Sequence, residues 1–473
     1  MDTNNFREEA HRLVDWMADY LENLADRPVK PATQPGEVLS ALPGVPPDLG
    51  ENFSSIFADF ENLIVPNMTH WQSPRFFAYF PANSSYPSLL AEMLTATLGA
   101  QCMMWETSPA AAELEECVMD WLRSMLALPN DWQGVIQDTA STATLTALLT
   151  ARERATNYGI NEQGFKGQRL RVYCSAEAHS SIEKAAKIAG IGRENVVKIS
   201  VDAELRLRPE LLEAAIQKDI AQGYAPLCVV AALGTTGTTA IDPLGPIADI
   251  CEKHHIWLHV DAAYAGTALL LPEYRWMANG LEKADSFVTN PHKWMFTNFD
   301  CSAYFVKDAT VLKRTFSILP EYLKTATQGK VNDYRDWGIQ LGRRFRALKL
   351  WFVIRSFGVE GLRAKIREHI RMAHWLATEV VQTKGFEIVS PTLFNLVCFR
   401  YLPSSGLSLE AANALNETLL RRINQTGKAY LSHTKVADRY ALRMVIGQTN
   451  SSESHVRESW ELIKMQASSL VPT

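Results

Sequence analysis

Apolar residues near the start of the chain recur at helical spacing. Phe6, Leu13, Val14, Met17, Leu21 and Leu24 alternate with charged and polar residues, which predicts an amphipathic helix over 6–25. The stretch RPVKPATQPGEVLSALPGVPPDLG follows, and its prolines exclude a continuous helix or a central strand, so it reads as an extended connector. A second amphipathic segment, NFSSIFADFENLIVP, comes next. Helices strung on such connectors make a poor core of their own. Residues 1–85 are therefore expected to form an arm that packs on another body, such as a second subunit.

The pattern changes at about residue 86. Helical stretches are expected over 109–128 and 141–159. Short apolar runs (LRVYCS, NVVKISV, LCVVAALG, IWLHVDAAY, SFVTN and CSAYFVK) then alternate with helical inserts (SSIEKAAKIAG, RPELLEAAIQKDIAQG and LGPIADICEKH). Such alternation predicts an α/β fold, a mostly parallel sheet with helices on both faces. Ligands in such folds sit at the carboxyl ends of the strands. Residues 311–340 read as loop and linker. A long helical pattern, RRFRALKLWFVIRSFG, then leads into 361–473, where FEIVS, LVCFRYL and ALRMVIG read as strands among helices. The expected division is an arm over 1–85, a large domain over 86–360 and a small α+β domain over 361–473.

Composition narrows the class of function. The 473 residues carry 47 basic and 52 acidic side chains, a net charge of −5 with no strongly basic half, so nucleic acid is not an expected partner. Seven scattered cysteines form no C-x-x-C pair, which argues against a disulfide framework or a cysteine-rich zinc site and for a reducing cytoplasm. The acidic N-terminus lacks the basic start and apolar stretch of a signal peptide. No apolar run approaches the ~20 residues that a membrane span needs.

Five clusters at strand ends carry candidate chemistry. In SFVTNPHKWMF, Lys293 follows a strand that Pro291 stops. Desolvation and neighbouring cations lower a lysine pKa, as a Schiff-base amine requires, while the alternative is a surface lysine. In IWLHVDAAYAG, Asp261 closes an apolar strand and could pair with a protonated pyridine nitrogen. It could equally cap a helix, or share a metal with His259, although no third ligand is evident and no metal is expected. In QDTASTATLTAL, Thr139, Ala140 and Ser141 open a helix and offer a phosphate site. His179 sits at a strand-to-helix turn, where it could stack on a planar ring or cap the helix. Thr236, in GTTGTTAIDP, could offer a hydroxyl to a cofactor. Taken together, the five suit a pyridine cofactor.

At these residues the chain resembles the group II decarboxylases that use pyridoxal 5'-phosphate (PLP), in particular the aromatic L-amino-acid decarboxylases. The blocks HWQSPRFFAYFP, SSYPSLLAEML, SPAAAELEECVMDWL, GVIQDTASTATL, AHSSIEKA, IWLHVDAAYAG, ADSFVTNPHKW, NFDCSAYFVK and GRRFRALKLWF occur in the family's order over nearly the whole length. The resemblance implies a type I PLP fold with a seven-stranded sheet, and a homodimer with active sites at its interface and the N-terminal arm swapped. It implies Lys293 as the Schiff-base lysine, Asp261 on the pyridine nitrogen and His179 stacked on the ring. Thr139, Ala140, Ser141 and Asn290 would bind the phosphate, with Thr236, Ala263 and His292 against the cofactor. Tyr322, in PEYLKT, matches the tyrosine of the family's catalytic loop and would protonate Cα, with help from His179. Family members that are aldehyde synthases carry Phe there, so Tyr322 favours decarboxylation to an amine.

For the substrate, Trp71, Tyr79, Phe80 and Pro81 match the family's pocket segment. Ala82 stands where animal members have threonine, and Gln101, Met103 and Met104 also differ from them. Gly342 resembles plant members that accept indoles, where those preferring tyrosine have serine; alternatively it is only a helix-start glycine. The expectation is tryptophan, 5-hydroxytryptophan or DOPA over tyrosine. The competing readings are an aldehyde synthase, a decarboxylase of histidine or glutamate, and a non-catalytic homologue.

Overall fold

A computed structural model describes residues 2–318, 329–404 and 406–470. The chain divides into two compact units, one of residues 82–371 with 390–396, the other of 1–81 with 372–389 and 397–473.

The larger unit is built on a seven-stranded sheet: β1 Gln133–Gln137, β2 Leu170–Ser175, β3 Val196–Ile199, β4 Ala225–Ala232, β5 Trp257–Asp261, β6 Ser286–Thr289 and β7 Ser302–Val306, in the order β1-β7-β6-β5-β4-β2-β3. Neighbours from β6 through β3 pair in parallel, and β7 runs antiparallel to both β6 and β1. It follows that β1 points the same way as β6, and the carboxyl ends of β1, β2, β4, β5 and β6 share one edge. Strands β4 to β7 are buried almost end to end, which is why they read as apolar runs rather than alternating ones.

Helices Ala140–Ala155, Ser181–Ile188, Pro209–Ala221 and Leu244–His254 fall where the apolar spacing predicts them. The first lies along the sheet through Ala143, Ala147, Leu148 and Ala151, all at most 1 % exposed. These small residues let the helix approach the strands closely, and the buried leucine alone contributes about 2 kcal/mol. Two differences from expectation stand out. Strand β1 is absent from the apolar runs, although the resemblance implies seven strands, and residues 311–316, expected as loop, belong to the helix Ala309–Phe316, whose N-cap Asp308 accepts from the N–H groups of Thr310 and Val311.

The other unit contains a four-stranded sheet of β8 Phe386–Ile388, β9 Leu396–Tyr401, β10 Ser432–Val436 and β11 Arg439–Val445, in the order β10-β11-β9-β8. The N-terminal segment joins this body. The Val29 N–H donates to the Gly427 carbonyl (2.7 Å), the Phe77 N–H to that of Tyr430 (2.9 Å), and the Val445 N–H to that of Phe77 (2.9 Å). The Phe77 ring is fully buried in a core with Leu376, Phe399, Leu442 and Trp460. Among the described residues, no helix is long and apolar enough to cross a membrane.

Candidate active site

The carboxyl edge of the seven-stranded sheet gathers most of the candidate residues. Asp261 ends β5, and its Oδ1 accepts from the Ala263 N–H (3.1 Å). The Ala263 carbonyl in turn accepts from the Asn290 N–H (3.0 Å), and the Asn290 carbonyl from the Lys293 N–H (2.9 Å). One hydrogen-bonded path thus joins the end of β5 to the turn after β6. Asn290 is buried, and its Oδ1 accepts from the Ser302 hydroxyl of β7 (2.6 Å), which leaves its amide nitrogen to offer donors to an anion.

Pro291–Trp294 makes a single helical turn. Burial lowers the Lys293 amine below its ordinary value, and the charge of Asp261 opposes the shift. His179, in the turn after β2, is lowered by burial, raised by Asp261 and lowered by Lys293. His179, Asp261 and Lys293 lie at or just after the carboxyl ends of β2, β5 and β6, which share one edge of the sheet. The Nδ1 of His179 is engaged by Ser181, whose N–H donates at 3.1 Å and whose hydroxyl lies at 2.8 Å, so Nε2 is the nitrogen left to face outward. His292 is held in the same turn: its Nδ1 accepts from the Cys301 N–H (2.9 Å), and burial, then the Lys293 charge, push it down to about 3.

Thr139, Ala140 and Ser141 open the helix that follows β1, and the Thr139 hydroxyl accepts from the Thr142 N–H (3.4 Å). The N–H groups of a helix start, two hydroxyls and the Asn290 amide form a donor set suited to a phosphate. Thr236 lies exposed in the loop after β4. A partly accessible amine of lowered pKa, a carboxylate at a strand end, an exposed imidazole and an anion-binding helix start together match the chemistry that pyridoxal phosphate requires of a protein. The metal alternative finds no such match. His259 is buried on β5, where its Nδ1 meets the Ser286 hydroxyl at 2.9 Å, and no group of three potential ligands occurs among the described residues.

The substrate candidates are dispersed. Trp71, Tyr79, Phe80 and Pro81 belong to the unit that holds the N-terminal segment, while Ala82, Met103, Met104 and Gly342 belong to the larger unit. Trp71 and Tyr79 stack with centroids 6.0 Å apart. Met104 is buried against Arg335, whose Nη1 approaches its sulfur at 3.5 Å, whereas Met103 is half-buried. Gly342 is exposed beside Gln101, whose Oε1 accepts from the Arg343 N–H (2.7 Å). Tyr322 lies outside the described residues. Ser302 and Asn83 bond directly to the Lys293 turn, and neither stood out in the sequence; a polar residue facing inward from β7 was the only hint of the first.

Residues 35–402 match the model of the pyridoxal-dependent decarboxylase conserved domain. The chain is 44 % identical to phenylacetaldehyde synthase of Arabidopsis thaliana, over 100 % of this chain and 97 % of that one. It is 42 % identical to aromatic-L-amino-acid decarboxylase of Rattus norvegicus, over 100 % and 99 %. Its fold superposes on the crystal structure of Oryza sativa TDC with PLP and tryptamine at a TM-score of 0.96, with 37 % identity over 100 % and 99 % of the two chains. The strand-end lysine, aspartate and histidine, the donors at the helix start and this end-to-end similarity agree: the chain belongs to the pyridoxal-dependent decarboxylase family.

Proposed function

We propose that this enzyme decarboxylates aromatic L-amino acids, with tryptophan, 5-hydroxytryptophan or DOPA preferred to tyrosine, releasing CO2 and an arylalkylamine. The observation that carries the reading is the convergence of Lys293, Asp261 and His179 at one sheet edge. Pyridoxal phosphate, when bound, supplies an electron sink for the charge left at Cα as CO2 departs. Lys293 would hold the cofactor through Nζ, and the burial that lowers its pKa favours the neutral amine able to form that bond. Asp261 keeps a positive charge on the pyridine nitrogen. Thr139, Ala140, Ser141 and Asn290 hold the phosphate, while Thr236, Ala263 and His292 border the cofactor. His179 would cover the ring, with its Nε2 available to support proton delivery. Tyr322 delivers the proton to Cα. Trp71, Tyr79, Phe80, Pro81, Ala82, Met103, Met104 and Gly342 shape the place of the aromatic side chain. The working assembly is a homodimer, in the cytoplasm; seven free cysteines support a reducing compartment.

A second reading, an arylacetaldehyde synthase, draws support from the 44 % identity to the Arabidopsis protein. Product analysis in air separates the two. Decarboxylation gives CO2 and amine in equal amounts from wild type, and Tyr322→Phe diverts product to aldehyde, ammonia and hydrogen peroxide at the expense of O2. Aldehyde and peroxide as the main wild-type products would establish the second reading instead.

A further inference from the structure

A four-residue helical turn cannot hold its own shape. It is shorter than the nucleus a helix needs, and its last carbonyls have no partner within it. The turn Pro291–Trp294, which carries Lys293, is therefore positioned from outside. On the N–H side, His292 donates to the Cys301 carbonyl (3.2 Å) and Lys293 to that of Asn290 (2.9 Å). On the carbonyl side, one residue serves both: the Asn83 N–H donates to the His292 carbonyl at 2.8 Å, and its side-chain Nδ2 donates to the Lys293 carbonyl at 3.0 Å.

Asn83 is 1 % exposed. Its orientation is dictated, because Oδ1 accepts from the Ser84 N–H (3.1 Å) and a flipped amide would set two oxygens against each other at Lys293. The segment that follows continues the attachment. The Ser85 hydroxyl donates to the Phe296 carbonyl (2.7 Å), the Asn298 N–H donates to Ser88 Oγ (2.7 Å), and the Asn298 amide donates to Glu92 (3.3 Å). Glu92 also pairs with the buried Lys349 at 3.0 Å. Residues 83–92 are thus fastened at intervals to the 292–298 loop, with Asn83 at the end nearest the reactive amine.

We propose that Asn83 is a positioning residue for Lys293: by bonding both carbonyls of the His292–Lys293 pair it sets the direction in which the lysine Nζ meets the cofactor. The inference rests on Lys293 as the cofactor anchor. Asn83→Asp keeps the side-chain shape and removes the donor; Asn83→Ala removes the side chain. Ser88→Ala, on the same segment but farther from Lys293, is the control.

In PLP-loaded protein, both Asn83 variants are expected to lose cofactor on dilution up to about tenfold faster, the size set by one hydrogen bond of ~1.4 kcal/mol. The pH at which the bound cofactor's visible absorbance titrates should move by about half a unit or more, and kcat should fall more than KM rises. Ser88→Ala should lower Tm and leave both cofactor readouts in place. Wild-type cofactor loss and titration in Asn83→Asp would overturn the proposal, as would equal shifts in Ser88→Ala. If Asn83→Ala fails to fold, Asn83→Asp decides alone. Wild-type protein that takes up PLP on Lys293 yet releases no CO2 refutes the decarboxylase reading while these readouts still decide Asn83; protein that takes up none refutes both.

Discussion

Around Lys293, the N–H and carbonyl groups of residues 292 and 293 all have partners, and Ser302 and Cys301 hold the side chains of Asn290 and His292. Around Trp71 and Tyr79 the construction differs. The rings are 37 % and 50 % exposed and meet by stacking, and the Tyr430 phenol stands 3.4 Å from that of Tyr79. Tyr79 has a φ of 53°, a left-handed conformation that costs a tyrosine about 1–2 kcal/mol. It is held there by its N–H bond to Ser432 Oγ (3.0 Å), while Arg443 lies over the neighbouring Phe80 ring at 5.4 Å. Directional bonds fix the atoms that do chemistry, because a small misplacement there is costly. Stacked, partly exposed rings allow exchange of side chains without loss of the fold. The difference teaches that the two regions are held in different ways, one by directional hydrogen bonds and the other by stacked, partly exposed rings.

The largest effect expected from breaking that comparison is at the braced turn. Lys293→Ala should lower kcat by about 10³-fold or more and abolish the visible absorbance of added PLP, because it removes the amine proposed to hold the cofactor. Asp261→Asn removes the charge proposed to face the pyridine nitrogen and should cost about 10²-fold in kcat with little change in Tm, measured by steady-state kinetics and calorimetry. On the substrate side the effects are smaller. A Cβ added at Gly342 would stand 3.2 Å from Gln101 Nε2, so Gly342→Ser presses on the amide that holds Arg343. It should shift the tryptophan-to-tyrosine ratio of kcat/KM by about tenfold and leave cofactor absorbance as it is; an unchanged ratio would make Gly342 a structural glycine only.

Outside catalysis, the effect expected is on acid stability. In the unfolded chain histidines take up protons below about pH 6.5. Folded, burial holds His259 down to about 4 and His292 to about 3. The unfolded state therefore binds more protons in this window, and stability falls as pH drops from about 6.5 towards 4, by about 1.4 kcal/mol per unit for each histidine. Urea unfolding of the cofactor-free protein should show this slope, shallower in His259→Asn.

Much of this was legible along the chain, for physical reasons that differ by region. Strands β2 and β4 to β7 are buried on both faces, so they appear as apolar runs that end at Asp261 and Asn290. The polar residues just past those ends are where an α/β sheet keeps its chemistry. Strand β1, QGVIQ, is short, begins exposed and has a glycine inside it, and β10, SHTKV, presents polar residues on one face; neither stands out locally. The helix Ala309–Phe316 was hidden by the loop-like residues beyond it. Asn83 could not be read at all, since its partner Lys293 lies 210 residues away and only the folded chain sets the amide against that carbonyl.

The most direct test of the account is where borohydride fixes the cofactor. Reduction of PLP-loaded protein, followed by proteolysis and mass spectrometry, should leave a pyridoxyl group on the peptide holding Lys293 and abolish CO2 release from tryptophan. A label on another lysine, such as the buried Lys349 whose pKa is also lowered, to about 8, or no label at all, would contradict it.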